Sequence, residues 1–155
     1  MSTLKFKKID DRAIIPQYKT KGAAAFDFHG IISEKDCMGE ETDKIVLSSG
    51  KQVVIRTGLS VSIPEGWEIQ IRPRSGNAFK NGITVTNSPG TIDSDYRGEI
   101  KIILLNTGEN PFPIKHGDRI AQGKFSEAIQ AEIIEVDELD STERGQGGFG
   151  STGTS

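Results

Sequence analysis

Alternating apolar and polar residues dominate the chain and predict an antiparallel β protein. The alternation is strict in residues 59–63, 67–72 and 83–86. Residues 53–55, 100–105 and 133–134 are instead apolar at successive positions, which is typical of strands covered on both faces by a core or an interface. The pattern therefore predicts many short strands, most of them with one buried face.

Glycine and proline separate these segments and limit the length of each strand. Turn signals occur at residues 49–50, 64–66, 87–90 and 108–111. Short strands at this spacing favour a sandwich or a barrel. A single short helix is predicted over residues 75–81, with Ser75 as its cap and Gly82 at its end.

The composition narrows the class of protein. With 155 residues the chain makes one domain, and its 18 glycines and 6% aromatic residues favour turns over long helices. A net charge of −3 argues against a general nucleic-acid coat. Cys37 is the only cysteine, which excludes an internal disulfide and all-cysteine metal sites. Without a long apolar run or a leader-like N-terminus, the sequence predicts a soluble, cytoplasmic protein that binds no membrane.

Two segments differ from the rest in composition. Residues 33–44 are polar and mostly acidic, and predict a surface excursion that is either an inert loop or a partner-binding site, the inert loop being favoured. From residue 141 onward the chain is mostly Gly, Ser and Thr, as in flexible segments. We therefore expect a β-domain over residues 1–140 and a Gly-rich arm over residues 141–155.

The arm is also the first candidate for chemistry. Glycine-rich segments present backbone N–H groups to phosphates, although a solvated linker has the same composition. It is neither a Walker loop nor a Rossmann turn, because the required flanking residues and elements are missing. Arg144 and Phe149 count against a simple linker, since a cation and a ring on a mobile arm suit closure over a nucleotide.

Four further segments carry polar groups whose simpler explanation is structural. Residues 72–76 (RPRSG) have donors for phosphate, or form a solvated Arg pair. Residues 92–98 (IDSDYRG) have carboxylates for general-base chemistry, or form Asx turns. For residues 117–122 (GDRIAQ) the favoured interpretation is a turn in which Asp118 pairs with Arg119. For residues 23–28 (AAAFDF) it is a packed strand with one carboxylate that caps a turn.

Together and in this order, the segments resemble the five motifs of the trimeric dUTPase family. The matching stretches are AAFD at 24–27, PRSG at 73–76, NSPGTIDSDYRGE at 87–99, GDRIAQ at 117–122 and RGQGGFGSTG at 144–153. The resemblance implies an all-β, jelly-roll-like (β-clip) subunit with one short helix, assembled as a homotrimer with active sites at subunit interfaces. It also implies hydrolysis of dUTP to dUMP and pyrophosphate with Mg²⁺, which limits uracil in DNA and supplies dUMP.

The resemblance further implies a role for each matching residue. Asp93 is the general base for water attack on the α-phosphorus, and Tyr96 lies under the deoxyribose and excludes a 2′-hydroxyl. The hairpin 83–92 reads uracil, and Asp27 reaches the metal only through water, with no direct protein ligand expected. The remaining substrate contacts are Arg74, Ser75, Gly76, Asn87, Gly90, Thr91, Ile92, Lys101, Gln122, Arg144, Phe149, Gly150, Ser151 and Thr152.

The chain departs from the family pattern at two positions, and two rival functions exist. Asn77 and Gly123 stand where the family usually has bulkier apolar residues. The similar dCTP deaminases need a Glu where this chain has Ile103, which transfers no protons. A trimer that binds nucleotide without hydrolysing it is the other rival, and the presence of Asp93 and the arm counts against it.

Overall fold

The structure, a computed structural model, describes residues 2–33 and 44–148, and it is built almost entirely from strands. The elements are β1 (Lys5–Lys8), β2 (Phe26–His29), β3 (Lys44–Leu47), β4 (Gln52–Arg56), β5 (Leu59–Ser62), β6 (Trp67–Arg72), α1 (Ser75–Asn81), β7 (Ile83–Val85), β8 (Gly90–Ile92), β9 (Lys101–Asn106), β10 (Phe112–Lys115) and β11 (Arg119–Glu127). The all-β class with one short helix is thereby confirmed. Most of the predicted 33–44 excursion lies outside the described residues.

Within the described part of the chain, all strand pairs are antiparallel and form four small sheets. The largest has the order β2-β11-β6-β8, and a second has the order β4-β9-β7. Two-stranded sheets join β1 to β5 and β3 to β10. Because most neighbours in these sheets are distant in sequence, the strands of the two larger sheets bring the separate motifs together.

The burial of strand residues confirms the alternation of apolar and polar positions that the sequence predicts. Leu59 and Val61 of β5 are buried while Ser60 and Ser62 are only partly so, and Ile69 and Ile71 of β6 follow the same rule. One contiguous cluster holds the apolar faces of both larger sheets. On β4, Ile55 is buried, but Val54 is 55% exposed on the opposite face.

Helix α1 occupies the predicted residues, but the predicted cap is wrong. Arg74, in extended conformation, is the N-cap residue; its carbonyl accepts from the Ala78 N–H at 3.0 Å, and no side chain caps the helix. Ser75 is instead the first helical residue and is exposed. Gly82 ends the helix in the left-handed region, at φ 68°, as expected.

The strand expected at residues 133–134 does not form in the described chain. The last strand, β11, ends at Glu127, and Ile133 and Ile134 are 95% and 68% exposed. Two successive apolar residues form a strand only if they pair with a neighbouring strand, and no described strand pairs with residues 133–134. The sequence prediction was wrong for the single chain.

Residues 83–92 form a crossover between sheets instead of a paired hairpin. β7 pairs with β9, whereas β8 pairs with β6. Residues 86–89 connect the two sheets and include a cis peptide bond between Ser88 and Pro89. Alternation fixes which face of each strand is buried, but not which strand lies beside it.

Gly123 departs from the family pattern because two aromatic rings occupy the space of a side chain. It is buried on β11, and a Cβ there would lie 2.6 Å from the Phe26 ring and 2.7 Å from the Phe28 ring. These distances are shorter than carbon atoms tolerate, so the rings would have to move. The other departure, Asn77, is partly buried and donates to the Arg119 carbonyl at 3.4 Å.

We therefore predict that Gly123→Ala lowers the free energy of unfolding by about 1–3 kcal/mol, as overpacked core sites do. Urea unfolding followed by circular dichroism measures the change. Gly22→Ala is the matched control, because a Cβ at Gly22 meets no atom within 4 Å. Equal stability of the Gly123 variant and the control would contradict the packing argument.

The N-terminal segment is fixed to the β4–β5 corner by a small ionic network. Asp10 accepts from the Arg12 side chain at 2.8 and 3.1 Å and from the Arg12 backbone N–H at 3.1 Å. These hydrogen bonds lower the pKa of Asp10 from 3.8 to about 2. Since folding favours the ionised carboxylate, its stabilising contribution is complete above pH 3.8 and is lost as the pH falls toward 2.

We expect Asp10→Asn to lower the thermal midpoint at pH 7, with a deficit relative to wild type that narrows as the pH falls below 3.8. Thermal melts across a pH series measure both effects. Asp11→Asn is the control at the neighbouring exposed position. A deficit that stays constant down to pH 2.5 would show that the charge of Asp10 does not carry the effect.

Candidate active site

The predicted phosphate-binding residues meet at one end of strand β6. Gln122 on β11 lies opposite Arg72 of β6 and opposite Asp27 of β2. Its side chain donates to the Pro73 carbonyl at 2.8 Å, which ties β11 to the turn before α1. Arg74, Ser75 and Gly76 follow directly, so this group, the phosphate cluster, combines three of the five motifs.

Asp27 holds two guanidinium groups in the phosphate cluster. Its Oδ1 accepts from Arg74 Nε at 2.8 Å, and its Oδ2 lies 3.2 Å from Arg119 Nη1. The Arg74 and Asp27 side chains are only 24% and 15% exposed, so the pair is fixed in direction. His29 lies two residues after Asp27 on β2. Burial lowers the pKa of His29, although the nearby charge of Asp27 raises it. Within the described residues, His29 Nδ1 has no hydrogen-bond partner.

The expected pairing of Asp118 with Arg119 is wrong. Asp118 Oδ2 accepts from the Lys115 N–H at 2.8 Å and closes the β10–β11 turn. Arg119 turns instead to Asp27, 92 residues earlier in the chain. Adjacent opposite charges suggest a local pair, but the Asp118 carboxylate bonds to the backbone of the turn, and Arg119, the first residue of β11, contacts Asp27 of the neighbouring strand.

The second group of predicted residues lies beyond strand β8. Asp93 begins a turn in which the Tyr96 N–H donates to the Asp93 carbonyl at 3.2 Å. Arg97 donates to the carbonyls of Ser94 and Tyr96 at 2.7 and 2.9 Å, which fixes the turn from its far side. The carboxylate of Asp93 is exposed and makes no hydrogen bond, so it is free to meet a ligand. We call residues 93–98 the Asp93 turn.

Asp93 and the phosphate cluster lie at opposite ends of β6. Ile92 pairs with Ile69, so Asp93 is level with Glu68, whereas Arg74 comes two residues after the other end of the strand. The four residue-to-residue steps from Glu68 to Arg72 alone span about 13 Å. A cavity beside Asp93 is lined by Trp67, Glu68 and Gln130 among others, and the cavity beside Arg74 is lined by different residues. Within one chain, the two halves of the predicted site, Asp93 and the phosphate cluster, therefore lie apart.

Comparison with known proteins agrees with the motifs and the fold. The family model "dUTPase" matches residues 11–153. The deoxyuridine 5'-triphosphate nucleotidohydrolases of Nautilia profundicola and Caulobacter vibrioides are 54% and 49% identical over 97% of this chain, and the match covers 98% and 94% of those proteins. The Staphylococcus bacteriophage 80alpha dUTPase with dUPNHPP is 28% identical, with a TM-score of 0.83 over 98% of this chain and 99% of that one. The chain belongs to the dUTPase family.

The resemblance inferred from the motifs is therefore confirmed, and the chain is a hydrolase of nucleotide metabolism, a dUTP diphosphatase. Ile103, the position at which a deaminase needs Glu, lies on β9 opposite Val54. No helix within residues 2–33 and 44–148 is long and apolar enough to cross a membrane.

The remaining predicted contacts are distributed around the dUTPase fold. Gly90 is buried against the Asn87 amide, which a Cβ on Gly90 would meet at 3.0 Å. Thr91 and Ile92 follow on β8, and Lys101 is exposed on β9. The predicted roles of these residues stay predictions.

Only the beginning of the arm is described. Arg144 Nε donates to the Gly147 carbonyl at 2.8 Å, and the other hydrogen bonds of residues 141–148 also stay within this segment. Phe149, Gly150, Ser151 and Thr152 lie outside the described residues. No hydrogen bond joins the described part of the arm to the phosphate cluster or to the Asp93 turn.

Sequence reasoning missed Arg119 and Glu99 as neighbours of the site. Arg119 shares the Asp27 carboxylate with Arg74, and the Glu99 carbonyl accepts from the Tyr96 hydroxyl at 2.9 Å. Both residues lie within the recognised motifs at 87–99 and 117–122, but their contacts depend on strand register and on the shape of the turn. No one-dimensional pattern in the chain predicts these contacts.

Proposed function

We propose that the chain hydrolyses dUTP to dUMP and pyrophosphate at sites shared between subunits of a homotrimer, with Asp93 as the general base. Family membership supports the substrate, and the exposed, unpaired carboxylate of Asp93 supports the role. A carboxylate at this position accepts the proton of a water molecule that attacks the α-phosphorus. Release of dUMP would limit uracil in DNA and supply thymidylate synthesis.

The observation that carries the shared site is the separation of Asp93 from Arg74 along β6. A general base and a phosphate-binding guanidinium must reach the same nucleotide, which they do if each comes from a different subunit. Exposed apolar residues supply a surface for such an assembly. They include Val54 on the outer face of the β4–β9–β7 sheet, and Ile129, Ile133, Ile134, Val136 and Leu139 after β11.

In this mechanism the phosphate cluster binds and orients the triphosphate. Arg74, held by Asp27, provides donors in a fixed direction, and Ser75 and Gly76 begin the adjacent helix. Tyr96 supports the deoxyribose and excludes a 2′-hydroxyl, and the segment 83–92 with Asn87 reads the base. Arg144 and Phe149 of the arm close over the γ-phosphate and the uracil, and exclude bulk water.

The described residues fit a magnesium ion that is bound mainly by the substrate. Residues 2–33 and 44–148 contain no group of three His, Cys, Asp or Glu side chains arranged to hold a metal. Mg²⁺ commonly keeps several waters and binds through phosphates, so it requires no such cage. Asp27, whose oxygens already accept from two Arg groups, would reach the ion through water. The ion neutralises phosphate charge when bound.

Pyrophosphate release from a panel of nucleotides tests the proposal. We expect turnover of dUTP, little turnover of dCTP, dTTP or UTP, and loss of activity with a chelator. Release of ammonia from dCTP, with formation of dUTP, would support the deaminase alternative, and binding without turnover would support the non-catalytic trimer. Light scattering measures whether the protein is trimeric.

A further inference from the structure

The hydroxyl end of the Tyr96 ring lies against Gly98, where a side chain would otherwise stand. A Cβ on Gly98 would come within 2.6 Å of Tyr96 Cζ and closer still to its hydroxyl oxygen. The same hydroxyl donates to the Glu99 carbonyl at 2.9 Å. Tyr96 is 42% exposed, so the core does not hold the ring. Its position depends on the glycine beside it and on the carbonyl at its end.

The Glu99 side chain fixes that carbonyl to the β4–β5 corner. Glu99 Oε1 accepts from Arg56 Nε at 3.1 Å and from the Gly58 N–H at 3.0 Å. The carboxylate is only 12% exposed. The next residue, Ile100, donates its N–H to the Leu59 carbonyl at 2.8 Å. The Glu99 side chain and the Ile100 backbone therefore both anchor the end of the Asp93 turn to the β4–β5 corner.

The corner itself is tightly constrained. Gly58 has φ +66°, and a Cβ there would lie 2.9 Å from the Asp10 Cβ and 3.1 Å from the Ala13 Cβ. Its carbonyl accepts from the Ile9 N–H at 2.9 Å, and Arg56 Nη1 lies 3.9 Å from Asp10 Oδ2. The N-terminal segment thus supports the corner that holds Glu99. A chain of contacts runs from Asp10 through Arg56 and Glu99 to the Tyr96 hydroxyl.

We propose that Gly98 and Glu99 are positioning residues that set sugar selectivity by holding the Tyr96 ring. The inference rests on the proposed function, in which that ring excludes a 2′-hydroxyl. Exclusion of one oxygen atom requires the ring to stay within a fraction of an ångström of its place, and an exposed ring does so only if its outer end is held. Gly98 leaves open the space that the outer end of the ring occupies, and Glu99, anchored by Arg56 and Gly58, holds the hydroxyl.

The test measures kcat/KM for dUTP and for UTP by pyrophosphate release in Gly98→Ala and Glu99→Gln. Glutamine keeps an acceptor for the Gly58 N–H but loses the ion pair with Arg56. We expect the dUTP/UTP ratio to fall about 10-fold or more in each variant, because small displacements at a reacting site have effects of this size. Gly22→Ala and Glu109→Gln, both exposed and away from Tyr96, are matched controls and should keep the wild-type ratio.

A double-mutant cycle shows whether the effect passes through the ring. In a Tyr96→Ala background, Glu99→Gln should cause no further fall in the ratio. A further fall equal to that in the wild-type background would overturn the proposed route. If Gly98→Ala does not fold, as thermal melts would show, Glu99→Gln and the cycle decide the question alone.

The remaining outcomes separate this inference from the proposed function. Wild-type protein that discriminates dUTP from UTP, with unchanged ratios in both folded variants, would overturn the inference and leave the function intact. Wild-type protein that hydrolyses both nucleotides equally would overturn the role of Tyr96 and, with it, the inference.

Discussion

Replacing Asp93 with asparagine is expected to lower kcat for dUTP hydrolysis by about 10²- to 10⁴-fold, the usual contribution of a general base. Asparagine has nearly the same shape but accepts no proton from water. The Asp93 side chain is exposed and makes no hydrogen bond with residues 2–33 or 44–148, so the fold and nucleotide binding should persist. Pyrophosphate release measures kcat, and calorimetry with a non-hydrolysable dUTP analogue measures binding.

Asp95→Asn is the control for this prediction, because Asp95 is an exposed carboxylate in the same turn. It should keep turnover within a few-fold of wild type. Near-normal turnover of the Asp93 variant would remove Asp93 from the mechanism. A loss of the same size in the Asp95 variant would indicate that the conformation of the turn, and not one carboxylate, is responsible.

Truncating the chain after Asp140 is expected to separate folding from catalysis. The hydrogen bonds of residues 141–148 stay within that segment, so their removal should leave the thermal midpoint and the oligomeric state unchanged. Hydrolysis of dUTP should nevertheless fall by orders of magnitude, because the arm provides Arg144 and Phe149 for closure over the nucleotide. Thermal melts, light scattering and pyrophosphate release measure the three quantities.

Mixed trimers show which site each arm serves. Refolding the Asp93→Asn chain together with the truncated chain creates sites that combine an intact Asp93 from one chain with an arm from another. If the arm crosses between subunits, part of the activity returns. If mass measurement proves that the two kinds of chain share trimers but no activity returns, the arm serves the site that contains its own Asp93. Normal hydrolysis of dUTP by the truncated chain alone would contradict the proposal that the arm closes over the nucleotide.

Much of the local structure could be predicted because it depends on local chemistry. The alternation of Leu59 and Val61 with serines places one face of β5 in the core, and Gly82 ends α1 because it adopts a left-handed backbone at low cost. The helix cap was misassigned, since Arg74 has the extended backbone that a cap requires although its side chain does not cap. The strand predicted at Ile133 and Ile134 does not form, because a strand also needs a neighbouring strand to pair with.

The family could be identified from the order and content of the five motifs, because these indicate a dUTPase without any knowledge of strand pairing. How the motifs combine depends on the fold. The register of β11 against β2 and β6 brings Asp27, Arg74 and Gln122 together, and the pairing of β8 with β6 places Asp93 at the far end of the same strand. These distances result from hydrogen bonds between residues that are distant in the chain, which no local pattern encodes.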